Sequence, residues 1–114
     1  MVGSTDSFRI QNSNSIVVKI DGLKCTEYSL TAPVSSFDIF MTDTKHMGLI
    51  VGHHNGEITV IANNKHERKI AFLNEPITFL QIHDDVVYTS FAHGLFKRQT
   101  ANSFGIVINK NNNK

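Results

Sequence analysis

The chain has no tryptophan, one cysteine, two prolines and no apolar run long enough to span a membrane. With Cys25 as the only cysteine, an internal disulfide and a cysteine-based zinc site are both excluded, and a reducing compartment, cytoplasm or nucleus, is the simplest setting. Cys25 itself reads as a small, half-buried strand residue. The start, Met1-Val2-Gly3-Ser4-Thr5-Asp6, has no basic stretch leading into an apolar one and does not read as a secretion signal. A dominant charge is missing too. Eleven Lys and Arg against ten Asp and Glu leave a net charge of +1, which gives no reason to expect DNA or an anionic membrane as a partner. No segment keeps a 3.6-residue apolar period, so no helix is expected. There is no Gly-x-Ser-x-Gly elbow, phosphate loop or dinucleotide fingerprint, so no catalytic residue and no cofactor is assigned and the chain does not read as an enzyme.

What is present is a series of short β-rich runs between turn signals. Ile16-Val17-Val18-Lys19-Ile20 stops at Asp21-Gly22. Leu49-Ile50-Val51 and Glu57-Ile58-Thr59-Val60-Ile61 flank Asn55-Gly56, a strong hairpin signal because both turn positions tolerate a positive φ. Ile77 to Ile82 and Val86 to Phe91 flank Asp84-Asp85, which reads as a turn rather than a carboxylate pair for acid–base work. His93-Gly94 marks a further turn, and Phe104 to Ile108 closes the part with strand character. Pro33 and Pro76 each stand just before a strand, where a missing N–H does least harm. The tail from Asn109 to Lys114 is Asn- and Lys-rich, with nothing to bury, and is expected to be disordered.

The runs repeat. Val51 to Ile58 aligns with Thr89 to Phe96, setting Gly56 on Gly94 at an offset of 94 − 56 = 38. Upstream, Pro33 to Phe37 aligns with Pro76 to Leu80 at an offset of 76 − 33 = 43. The difference places a five-residue deletion in the loop before the second hairpin, where a length change costs little. A third copy is expected to open the chain, with Val2 to Ser7 matching Val51 to Gly56. An apolar strand, a turn such as Gly52-His53-His54-Asn55-Gly56 and a second strand, repeated at this period, resemble the WD40 repeat. The chain departs from that pattern where the family's Trp would fall, at Asn12, Ile61 and Gln99, and the turn acid survives only as Asp6. The buried polar network of standard blades is therefore expected to be missing.

The resemblance implies an all-β fold of antiparallel blades, a partial β-propeller over residues 1–108 with two blades and part of a third; a small β-sandwich or barrel is the alternative. Closing a propeller takes four blades or more, so the chain reads as a fragment, a remnant, or one part of a propeller that another chain completes. The implied function is a non-enzymatic protein–protein interaction scaffold, with another protein as partner. The alternative reading is a nucleic-acid-associated β module using Lys65, Arg68, Lys69, Lys97 and Arg98. The interaction face is assigned to the turns, at His53, His54, Asn55, Phe91 and His93. Phe72, Phe79, Phe91, Phe96 and Phe104 lie in strand-like runs, where core packing explains most of them, and Phe91, beside its turn, is the one expected at the surface. A metal shared by His53 and His93 is conceivable on the repeat alignment, but polar turn residues at a solvent face explain both histidines, and no metal is assigned.

Overall fold

The computed structural model describes residues 7–20, 24–42, 47–62, 66–92 and 94–106. These residues form ten β-strands and one 3-10 turn, with no α-helix among them, and no helix among them is long and apolar enough to cross a membrane. The fold is all-β, and its three sheets are antiparallel. The chain divides into two compact units, residues 1–34 and 35–114.

The first unit is a three-stranded meander of β1 (Ser7–Asn12), β2 (Ser15–Ile20) and β3 (Lys24–Ser29), hydrogen-bonded in that order. β-branched residues fill the central strand, whose Ile16 and Val18 are buried. They stand between Ile10 and Phe8 on one neighbour and Tyr28 and Thr26 on the other. The β1–β2 turn is built on Asn12, whose Oδ1 accepts the Asn14 N–H at 3.1 Å. The backbone of this turn receives the chain leaving β3: the Leu30 N–H donates to the Asn14 carbonyl at 2.8 Å, and the Val34 N–H to the Ser13 carbonyl at 2.7 Å.

The second unit holds two sheets. β4 (Val34–Met41), β5 (Met47–His53), β6 (Glu57–Ala62) and β7 (His66–Phe72) pair in sequence order, as do β8 (Ile77–His83), β9 (Val86–Phe91) and β10 (Phe96–Thr100). One face of the four-stranded sheet, with Phe40, Ile50, Ile58 and Val60, packs on Ile77, Leu80, Ile82, Val87 and Phe91 of the other sheet. The 3-10 turn Ala101–Phe104 and Ile106 join the same core. Gly52 lies where β5 meets β8: a Cβ there would come within 2.9 Å of the Ile77 Cγ2. Side chains of β4 also satisfy the free edge of β8. Ser36 Oγ accepts the Leu80 N–H at 3.1 Å and donates to the Leu80 carbonyl at 3.3 Å, and Asp38 Oδ2 accepts the Ile82 N–H at 2.9 Å. An edge that would otherwise invite foreign strands is thereby occupied. Asp38→Ala leaves the Ile82 N–H without its acceptor and is expected to cost about 1–3 kcal/mol, with Asp38→Asn costing less because an amide oxygen still accepts. Denaturant midpoints of the two variants check this, and equal losses would contradict it.

The repeat register recurs in the hydrogen bonds of the second unit. Gly56 and Gly94 both have φ +93°. Each closes the same turn, the Gly56 N–H donating to the His53 carbonyl at 3.0 Å and the Gly94 N–H to the Phe91 carbonyl at 2.9 Å. Ser35 Oγ donates to the Gly52 carbonyl at 3.1 Å, and Thr78 Oγ1 to the Ser90 carbonyl at 3.2 Å. The two offsets are therefore 52 to 90 and 35 to 78, the 38 and 43 of the sequence alignment. The shortening falls between the first two strands, where Asp84-Asp85 alone turns β8 into β9, with Asp84 at φ 56°.

The opening copy is placed differently. Residues 1–6 lie outside the described residues, and Ser7 begins β1 rather than ending a turn. The hydrogen bond from Leu30 to Asn14 matches the 2.8 Å bond from Leu73 to the Gly56 carbonyl, so Asn14 holds the place of Gly56. The segment Leu30-Thr31-Ala32-Pro33-Val34 repeats as Leu73-Asn74-Glu75-Pro76-Ile77 at an offset of 73 − 30 = 43, one more than the 56 − 14 = 42 between the two turns. Of the run from Phe104 to Ile108, Phe104 closes a 3-10 turn, Ala101–Phe104, that ends on Gly105 at φ 77°, with β10 before it, and Val107 and Ile108 lie outside the described residues. The tail at 109–114 lies outside the described residues.

Candidate interaction site

The turns of the second unit converge at one end of its two sheets. The loop of Leu73 to Pro76 links them: Leu73 bonds the Gly56 carbonyl, and the Ala92 N–H donates to the Pro76 carbonyl at 3.4 Å. Asn55 Oδ1 accepts the Glu57 N–H at 2.9 Å and fixes the first turn. Leu95 and Phe96, at the second, are 64% and 61% exposed, and with Leu73, Glu75, Phe91 and Lys97 they line a recess of about 190 Å³. That volume lies below the about 300–1,000 Å³ typical of small-molecule sites, and the lining is a rim of large apolar side chains with one acid and one base. A larger recess of about 310 Å³ lies by the last turn of the chain, lined by Phe40, Thr42, Val60, Ala62, Arg68, Gly105 and Ile106.

Of the residues assigned to the face from sequence, His54 and Asn55 are exposed at this end. His93 lies outside the described residues. His53 and Phe91 are corrected: His53 has no exposed surface and Phe91 is 9% exposed. Both are the last residues of their strands. In β9 burial alternates and Phe91 falls on the buried side with Val87 and Thr89, whereas β5 is buried on both faces from Gly48 to His53, so each turn projects only from the residue after. Inside, His53 Nε2 pairs with Thr59 Oγ1 at 2.9 Å and lies 3.7 Å from Glu67 Oε2. His53, Thr59 and Glu67 thus bring polar groups of β5, β6 and β7 together inside the sheet. Of the two histidines weighed for a shared metal, His53 is fully buried with Nε2 on Thr59, and His93 lies outside the described residues. Among the described residues no group of three or more His, Cys, Asp or Glu side chains could hold a metal ion.

The phenylalanines are likewise redistributed. Phe91 and Phe104 are core residues, whereas Phe72, Phe79 and Phe96 are 61%, 51% and 61% exposed. Phe96 stacks obliquely on Tyr88, ring centroids 5.9 Å apart. The basic residues separate into two groups. Lys69 of β7 bonds Glu57 at 2.9 Å, and this bond, helped by Asn55, holds the Glu57 carboxyl below its ordinary range while raising the Lys69 ammonium. Lys97 and Arg98 are exposed on β10 and have no acidic partner among the described residues. The sequence singled out Lys97 and Arg98 as basic residues but not β10 as a strand, because Phe96-Lys97-Arg98-Gln99-Thr100 has neither β-branched enrichment nor clean alternation. Its position beside the Gly94 turn was the available signal.

No protein-family model matches the sequence, and no curated protein matches it.

Proposed function

We propose that the chain is a non-enzymatic protein-interaction module, a run of blade-like sheets of the WD40-like propeller kind, working in the cytoplasm or nucleus. Its partner is another protein, which docks at the turn-bearing end of the second unit. The observation that carries this reading is the exposed Leu95–Phe96 pair on a turn tied, through the Leu73–Pro76 loop, to the turn that exposes His54 and Asn55. Large apolar side chains held at the surface on a rigid backbone fit a protein contact, where aromatic anchors supply much of the binding energy. The equivalent hydrogen bonds of successive sheets support the repeat reading, and repeats of this sort leave their turns to vary while the strands hold them.

A photo-crosslinking amino acid at position 55 tests this against the same residue at position 84, an exposed turn of β8–β9. Discrete protein adducts in cell extract from position 55 and not from 84 are expected. Adducts to nucleic acid would move the assignment to the nucleic-acid class, and equal labelling from both positions would contradict a specific face.

A further inference from the structure

Among the described residues of the second unit, the edge of β10 is open where its equivalent in the four-stranded sheet is paired. Two hydrogen bonds fix which of its residues face β9: Phe91 donates to the Leu95 carbonyl at 3.1 Å, and Ala101 donates to the Asp85 carbonyl. Backbone groups alternate along an antiparallel strand, so Leu95, Lys97, Gln99 and Ala101 turn toward β9. The N–H and C=O of Phe96 and Arg98 turn the other way, to an edge with no partner among the described residues. Their equivalents in the four-stranded sheet are Ile58 and Val60, which β7 pairs at Ala71 and Arg68. The carbonyl at the head of the slot has a constant use. Asn14 receives the N–H of Leu30 there and Gly56 that of Leu73, both at 2.8 Å, and Gly94 stands third in the series.

We propose that the edge of β10 receives an extended, acidic segment of another protein as an added strand. The segment enters antiparallel, bonds Phe96 and Arg98, and ends on an apolar residue whose N–H meets the Gly94 carbonyl beside Phe91, Leu95 and Phe96. This rests on the reading of the chain as a protein-interaction module and names its partner chemistry. Charge selects the partner. In the four-stranded sheet, Lys69 and Arg68 of β7 stand opposite the uncharged Thr59 and Val60. In the three-stranded sheet the corresponding β10 residues are Lys97 and Arg98. A strand like β7, including β7 of a second copy, would bring Lys onto Lys97 and Arg onto Arg98, and like charges directly opposite oppose pairing. Residues 107–114 carry Lys110 and Lys114 and no acidic side chain, so they match no better. Acids at those two adjacent positions, five and four residues before the apolar end, satisfy both cations. A nucleic acid would meet the same cations but cannot supply the alternating N–H and C=O groups that the edge presents.

The test uses the full chain and two end-blocked fluorescent octapeptides. One copies residues 66–73 of this chain, His-Glu-Arg-Lys-Ile-Ala-Phe-Leu; the other replaces its Arg and Lys, giving His-Glu-Glu-Glu-Ile-Ala-Phe-Leu. Fluorescence anisotropy is expected to show the acidic peptide binding at least tenfold more tightly. Lys97→Glu with Arg98→Glu is expected to reverse that order. Arg98→Pro removes only an outward N–H and is expected to weaken the acidic peptide at least tenfold beyond Arg98→Ala, with the melting curve confirming that each variant is folded. Equal binding of both peptides, or binding of neither by folded protein, overturns the proposal. So does tight binding of single-stranded oligothymidylate that Lys97→Glu abolishes, or a dimer in sedimentation that Arg98→Pro dissolves. Protein adducts from position 55 together with a failed peptide test would leave the interaction-module reading standing and remove this strand site alone.

Discussion

Gly56→Ala is expected to be among the most damaging single-methyl additions in the second unit. At φ +93° any side chain is strained, at a cost of about 1–3 kcal/mol. The methyl would also sit 2.8 Å from the Glu75 carbonyl oxygen, 2.9 Å from the Glu75 N and 3.0 Å from the Asn74 N. These are backbone atoms of the Leu73–Pro76 loop, which cannot rotate away as a side-chain tip would, and overpacking of this kind adds about 1–3 kcal/mol. The sum is a large part of a typical stability of about 5–15 kcal/mol. Gly94 has the same φ, yet nothing lies within 4 Å of its added Cβ. Gly94→Ala therefore keeps only the backbone strain. Urea denaturation should place Gly56→Ala well below Gly94→Ala, and equal losses would mean that the 73–76 loop does not rest on the Gly56 turn.

The second large effect lies between the two sheets of that unit. Ile77 is fully buried, and Ile77→Ala is expected to cost about 2–5 kcal/mol as a core truncation. Gly52→Ala pushes a methyl to 2.9 Å from the Ile77 Cγ2 and to 3.4 Å from Leu80, an overpacking cost of about 1–3 kcal/mol. Made together, the two changes should cost clearly less than their sum, because the shortened side chain at 77 vacates the space that the new methyl at 52 occupies. Strict additivity in thermal or chemical melts would contradict the seating of β8 on β5.

The all-β class was legible because β-branched runs ended on Asn-Gly, Asp-Asp and His-Gly pairs, and the Gly56–Gly94 equivalence followed from those turns. The opening turn carried less signal for a physical reason: it is an Asx turn on Asn12, which needs no glycine. The site residues divided by the same logic. His54 and Asn55 lie in the turn proper and project, whereas His53 ends a strand buried on both faces and Phe91 ends one whose alternation turns it inward. A polar residue at a strand end gives no sign in sequence of a buried partner such as Thr59, which is six residues away and reached across the hairpin. The exposure of Phe79 and Phe96 was hidden for a related reason: both stand on the face of their sheet away from the shared core, and a phenylalanine in a strand reads the same on either face.

Amide hydrogen exchange, resolved residue by residue by NMR on the monomeric chain, tests the open edge of β10 most directly. The account predicts slow exchange at Lys97 and Gln99, whose N–H groups face β9, and at Ile58 and Val60, which β7 covers. It predicts exchange close to the free-peptide rate at Phe96 and Arg98. Protection at Phe96 and Arg98 equal to that at Lys97 and Gln99 would show the edge already paired, and would contradict it.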